Sequence, residues 1–103
     1  MLEQFKELIK RYNLVEKAKD SFWINFNNYR EEAKDEFKEN FGDYKEEKLN
    51  VWFHSISYNI WPESDYEYIV VRMKMEYDNN TVGEFKACYN MSGEYEDDYF
   101  VTY

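Results

Sequence analysis

Cysteine, histidine and proline occur once each among the 103 residues, and glycine three times. With Cys88 alone no intrachain disulfide can form. With His54 alone the ordinary zinc sites, which need three or four nitrogen or sulfur ligands, are excluded. Gly42, Gly83 and Gly93 are too few and too scattered for a glycine-rich phosphate loop, and a helix end, a strand bulge and a turn account for them. No stretch approaches the roughly 18 consecutive apolar residues that a membrane helix needs. The opening MLEQFKELIKRYNLVEKAKD spreads acids and bases throughout and lacks an apolar segment, so it does not read as a signal peptide. A cytoplasmic address is the expectation.

Bases are scarce in the second half. Residues 1–48 carry ten bases against twelve acids, whereas residues 49–103 carry three against ten, within a net charge of −9. Phosphate contacts require a basic patch, so direct binding to nucleic acid is disfavoured. A basic protein partner is favoured, because complementary potentials speed encounter.

What the chain does have is apolar and aromatic bulk: 44% of it is hydrophobic and 21% aromatic. That excludes a disordered chain. A single domain of this length buries about 60–65% of its unfolded surface. Leu2, Phe5, Leu8, Ile9, Tyr12 and Val15 recur at helical spacing and predict an amphipathic helix over about 2–18. Asp20 and Ser21 are suitable N-caps for a second helix carrying Phe22, Phe26, Tyr29, Ala33 and Phe37, stopped by Gly42. The alternation in FWINF (22–26) also fits a short strand.

Beyond Gly42 the period becomes two. LNVWFHSISYNIW (49–61) is β-branched and aromatic, and Pro62 ends it. In DYEYIVVRMKMEY (65–77) Ile69, Val71, Met73, Met75 and Tyr77 share one face, with Tyr66, Tyr68, Val70, Arg72, Lys74 and Glu76 on the other. DNNT (78–81) is a turn. VGEFKACYNM (82–91) sets Phe85, Ala87, Tyr89 and Met91 against Glu84, Lys86, Cys88 and Asn90, and Ser92–Gly93 makes the next turn. GEYEDDYFVTY (93–103) reads as that turn and an edge strand. The expectation is a single α+β domain: two N-terminal helices (within 1–42) packed on one face of a four-stranded antiparallel β-meander (49–103), whose second face stays open.

Motifs that carry chemistry are missing. His54 and Cys88 could meet across strands with Asn90 nearby, but no hydrolase signature surrounds Cys88, and a lone strand cysteine is ordinarily inert. Calcium loops need regularly spaced oxygen ligands and a glycine; EYEDD lacks the spacing and the glycine, and YDNNT offers one carboxylate. No cofactor, metal site or catalytic residue is expected, and the protein is read as a binder rather than an enzyme.

The open face supplies the candidate surface. Tyr66 and Tyr68 stand on it, Trp61 just before, and around them lie Glu63, Asp65, Glu67, Glu94, Glu96, Asp97 and Asp98. Tyrosine and tryptophan bury much area with few rotatable bonds, and ringed by acids they form a dock for a basic protein. Codon bias and solubility offer a blander source of tyrosines and acids. The charge asymmetry tips the choice toward a dock.

The stretch VGEFKACYNMSGEYEDDY (82–99) resembles the closing hairpin of small immunity proteins that accompany bacterial polymorphic or contact-dependent toxins: an aromatic strand, a Gly-Glu turn and an acidic-aromatic ending. The resemblance implies an inhibitor that binds a cognate toxin, often a basic nuclease, and blocks its active surface. Two alternatives share the size and acidity. One is a phage-encoded inhibitor of a host nucleic-acid-handling defence protein, of the anti-CRISPR or DNA-mimic type. The other is a small-ligand-binding α+β module, which would need an enclosed polar pocket between helices and sheet.

Overall fold

A computed structural model describes residues 2–103. The architecture is α+β. Helices α1 (Leu2–Arg11), α2 (Leu14–Glu32) and α3 (Lys34–Phe41) and a 3-10 turn (Glu46–Lys48) precede strands β1 (Leu49–Trp61), β2 (Tyr66–Tyr77), β3 (Asn80–Asn90) and β4 (Tyr95–Thr102). The strands form one antiparallel meander in the order β1-β2-β3-β4, and the helices pack on one face of it.

The two expected helices are present with different boundaries. The first ends at Arg11 rather than near residue 18, because Asn13 takes the left-handed conformation (φ 53°), which asparagine tolerates better than most residues. Asp20 and Ser21, expected as N-caps, lie inside α2, and FWINF is helical. The earlier break redirects the chain, so that Leu14, Ala18, Phe22 and Phe26 form one buried stripe four residues apart. A second break falls at Ala33 (ψ 54°), dividing the expected second helix. The bend turns α3 back, bringing Phe37 within 5.6 Å of the Phe26 ring and Phe41 within 5.8 Å. Gly42 (φ 62°) ends α3, its N–H donating to the Lys38 carbonyl at 2.7 Å.

The strands follow the expected alternation. Ile69, Val71, Met73 and Met75 of β2 and Phe85, Ala87 and Tyr89 of β3 are buried against α2 and Phe37. Asp78 and Asn79 both have positive φ (52° and 67°) between Tyr77 and Asn80, as a two-residue hairpin turn requires. Each strand pair has one bulge. The extra residues are His54 in β1, Val82 in β3 and Glu96 in β4. Gly93 (φ 79°) lies where the corner between α1 and α2 meets the β3–β4 turn. A Cβ there would come within 2.2 Å of the Tyr12 ring, and Lys17 Nζ donates to its carbonyl at 3.2 Å. The helices thus brace the closing hairpin at one end of a molecule 45 Å long.

Candidate protein-binding face

In this meander the end of β1, the start of β2, the end of β3 and the start of β4 all fall at one end of the sheet. That end carries seven of the ten acids in residues 49–103: Glu63, Asp65, Glu67, Glu94, Glu96, Asp97 and Asp98. The ten residues expected at the candidate surface therefore gather at one end, although not on one face.

On the open face Trp61 pairs with Tyr66 across β1 and β2, and both are exposed. The Tyr66 and Tyr68 rings stack at 6.2 Å, inclined by 17°. The bulge in β4 lets the Glu96 carboxylate reach back over β3 and accept a hydrogen bond from the Tyr66 hydroxyl. That bond, followed by desolvation and then the negative charges of Glu96 and Glu94, raises the Tyr66 pKa. Asp97 stands opposite Cys88, also on this face. Glu63 and Asp65 are exposed in the β1–β2 turn, where Asp65 has φ 54°. Glu94 is tied into the β3–β4 turn: its N–H donates to Asn90 Oδ1 at 3.0 Å, and its Oε1 accepts from Asn90 Nδ2 at 3.3 Å.

Two of the expected residues lie on the helix side. Glu67 pairs with Ile60, and its carboxylate accepts a hydrogen bond from the Tyr58 hydroxyl; it lines a cleft with Leu2, Phe5 and Leu8 of α1. Asp98, half-buried opposite Ala87, accepts from Asn25 Nδ2 of α2 at 2.9 Å. It joins β4 to the helical layer. Beside it burial raises Tyr89 to about 12, and burial together with Asp98 raises Tyr95 to about 12.

The sheet register also brings together a cluster not included in the expected surface. All three bases of residues 49–103, Arg72, Lys74 and Lys86, project from the middle of the open face. Glu84 accepts from Lys74 at 2.8 Å and forms an ion pair with Lys86 at 3.3 Å. The Lys74 hydrogen bond, aided by Lys86 and Tyr103 and opposed by desolvation, lowers Glu84 to about 2. Arg72 lies opposite Lys86 and donates to Ser57 Oγ at 2.8 Å. Strand alternation put these bases outside; only the pairing register shows them side by side. The open face thus runs from an acidic, aromatic end to a basic centre.

His54 and Cys88 do not form a nucleophile–base pair. His54 occupies the β1 bulge with Nδ1 at 3.0 Å from Ser55 Oγ, while Cys88 lies two strands away, opposite Val70 and Asp97. Burial, then the charges of Asp97 and Glu96, pushes the Cys88 thiol up, away from the reactive thiolate. Among the described residues no three His, Cys, Asp or Glu side chains converge as a metal site would need. No described helix is long and apolar enough to cross a membrane. A cleft of about 320 Å³ between helices and sheet is lined by Phe26, Tyr29, Phe41, Met75, Val82 and Phe100 together with the polar Glu36, Asn40, Thr81, Thr102 and Tyr103. Compared with protein-family models, curated proteins and solved structures, the chain matches none.

Proposed function

We propose that this protein is a small acidic inhibitor that acts by binding another protein, as an immunity protein neutralises its cognate toxin. The carrying observation is the acidic-aromatic end of the open face: Trp61, Tyr66 and Tyr68 beside Glu96 and Asp97, with Glu63 and Asp65 at the turn. Aromatic anchors supply desolvated contact area, and the acids attract and orient a basic partner. A nuclease toxin has such a surface where it binds phosphates, and covering it blocks substrate.

A phage-encoded inhibitor of a host defence protein would use the same carboxylates as phosphate mimics, and the neighbouring genes distinguish the two inhibitors. Affinity capture of the tagged protein from host lysate at low and high salt tests the common core of both. The expected catch is a basic, nucleic-acid-handling protein held at low salt and released at high salt. An acidic partner, or one held equally at both salts, contradicts the proposal.

A further inference from the structure

The open face holds more than its acidic end. Arg72 and Lys74 of β2 and Glu84 and Lys86 of β3 share the middle of it, three bases against one acid in a chain of net charge −9. Glu84 serves both lysines, accepting from Lys74 at 2.8 Å and pairing with Lys86 at 3.3 Å. Arg72 is the base left over. Among the described residues no carboxylate lies within ion-pair distance of it, and its one side-chain bond is the donation to Ser57 Oγ at 2.8 Å. Ser57 Oγ also accepts from Asn59 Nδ2 at 3.0 Å, which fixes the hydroxyl and with it one edge of the guanidinium. The remaining N–H donors form a planar fork that matches a carboxylate. Arg72 is half-buried, and Val70 beside it on the same face is buried. Burial strips water from a cation, and a counter-charge offsets that loss. Tyr99, 46% exposed and 5.7 Å from the Lys86 ammonium, carries the aromatic surface from the acidic end to this centre.

We infer that Arg72 receives a carboxylate of the same basic partner, so that the partner is held by an acid of its own as well as by its bases. The inference rests on the inhibitor reading and names what the partner must carry. Register sets the spacing. Arg72 lies opposite Lys86, and Cys88, two residues on, faces Asp97 of β4. Two strands across at about 4.8 Å each and two residues along at about 3.3 Å each put Arg72 about 12 Å from Asp97. The partner's acid therefore stands about 12 Å from its base over Asp97. A polyphosphate chain fits worse, because the phosphates beside the one on Arg72 meet Glu84, Glu96 and Asp97 on the same face. A single carboxylate on an otherwise basic surface satisfies Arg72 and the acidic end together.

The sign of one substitution tests it. Arg72→Gln makes the chain more acidic, so attraction by the acidic end alone would hold a basic partner as tightly or more tightly. The inference predicts the opposite: affinity for the basic protein captured from lysate falls at least about tenfold. Lys38→Gln, the same change of charge on α3, should not weaken binding. A partner that spans Arg72 and Asp97 also covers Cys88, the single thiol, and should slow its alkylation. Undiminished affinity of Arg72→Gln, or alkylation of Cys88 at the same rate with the partner bound, overturns the inference and leaves the inhibitor reading in place. Undiminished affinity of Glu96→Lys/Asp97→Lys, or a capture that yields no basic protein, removes that reading and this inference with it. Should Arg72→Gln fail to fold, Arg72→Lys decides: it keeps the charge and loses the fork, so affinity should fall at constant net charge.

Discussion

Asp97 and Asp98 are adjacent in sequence and both acidic, yet they do different things. Asp97 points to the open face, while Asp98 accepts a hydrogen bond from Asn25 and ties β4 to α2. Charge reversal at Glu96 and Asp97 should leave stability within about 0.5 kcal/mol, as for surface sites, while weakening partner binding. Asp98→Lys should cost about 1–3 kcal/mol by removing the charged acceptor of the Asn25 amide, which keeps only its bond to the Ser21 carbonyl, and thermal melts of the two variants check the contrast. Equal melting temperatures would contradict this assignment. The sequence shows four carboxylates in five residues. It does not show which face each takes, because the bulge at Glu96 shifts the alternation by one residue.

Glu84 makes stability depend on pH. Its carboxyl falls from 4.5 to about 2, chiefly through the Lys74 hydrogen bond. A carboxylate made more acidic by folding contributes stability above its unfolded pKa, and the contribution is lost as pH drops through the folded one. The stability advantage of wild type over Glu84→Gln should therefore be full at neutral pH and disappear between 4.5 and about 2. Denaturant unfolding across that interval measures it, and a difference flat with pH would contradict the ion-pair account.

At the scale of elements, the strands were legible and the helix boundaries were not. Period-two alternation in 65–77 and 82–91 has one physical cause, a sheet with one covered face; Ile69, Val71, Met73, Met75, Phe85, Ala87 and Tyr89 are buried as it indicated, whereas Tyr77 and Met91 are half-buried and Val70, on the open face, is buried as well. The helical half carries apolar residues at steps of three and four through both breaks, so periodicity alone leaves Asn13 and Ala33 unmarked. What sets the breaks is tertiary: Leu14 turns into the core, and Phe37 and Phe41 return to Phe26. Asn13 at φ 53° gives a direct check. Asn13→Val, β-branched in the left-handed region, should lower stability by about 1–2 kcal/mol, whereas Asn13→Gly should be close to neutral. A chemical-denaturation series on both variants would show the order, and equal losses would place the cost elsewhere.

The whole molecule is polarised along its length. Seven acids gather at the braced end of the sheet, three bases share the middle of the open face, and the edge strand β1 carries no charge. The acidity of the second half was plain from composition, and so was the aromatic content of 61–68. The basic centre emerges only once β2 and β3 are paired, since Arg72 and Lys86 are 14 residues apart and become neighbours through register alone. An acidic end beside a basic centre favours a partner whose own surface is bipolar, with bases over Glu96 and Asp97 and acids over Arg72.

The central claim is that the acidic-aromatic end holds a basic protein, and the most direct measurement is the affinity of the captured partner for wild type and for Glu96→Lys/Asp97→Lys, side by side at low salt. The account predicts a loss of at least about tenfold for the double variant, roughly 1.4 kcal/mol, with an unchanged melt. Equal affinity for the two proteins would contradict it.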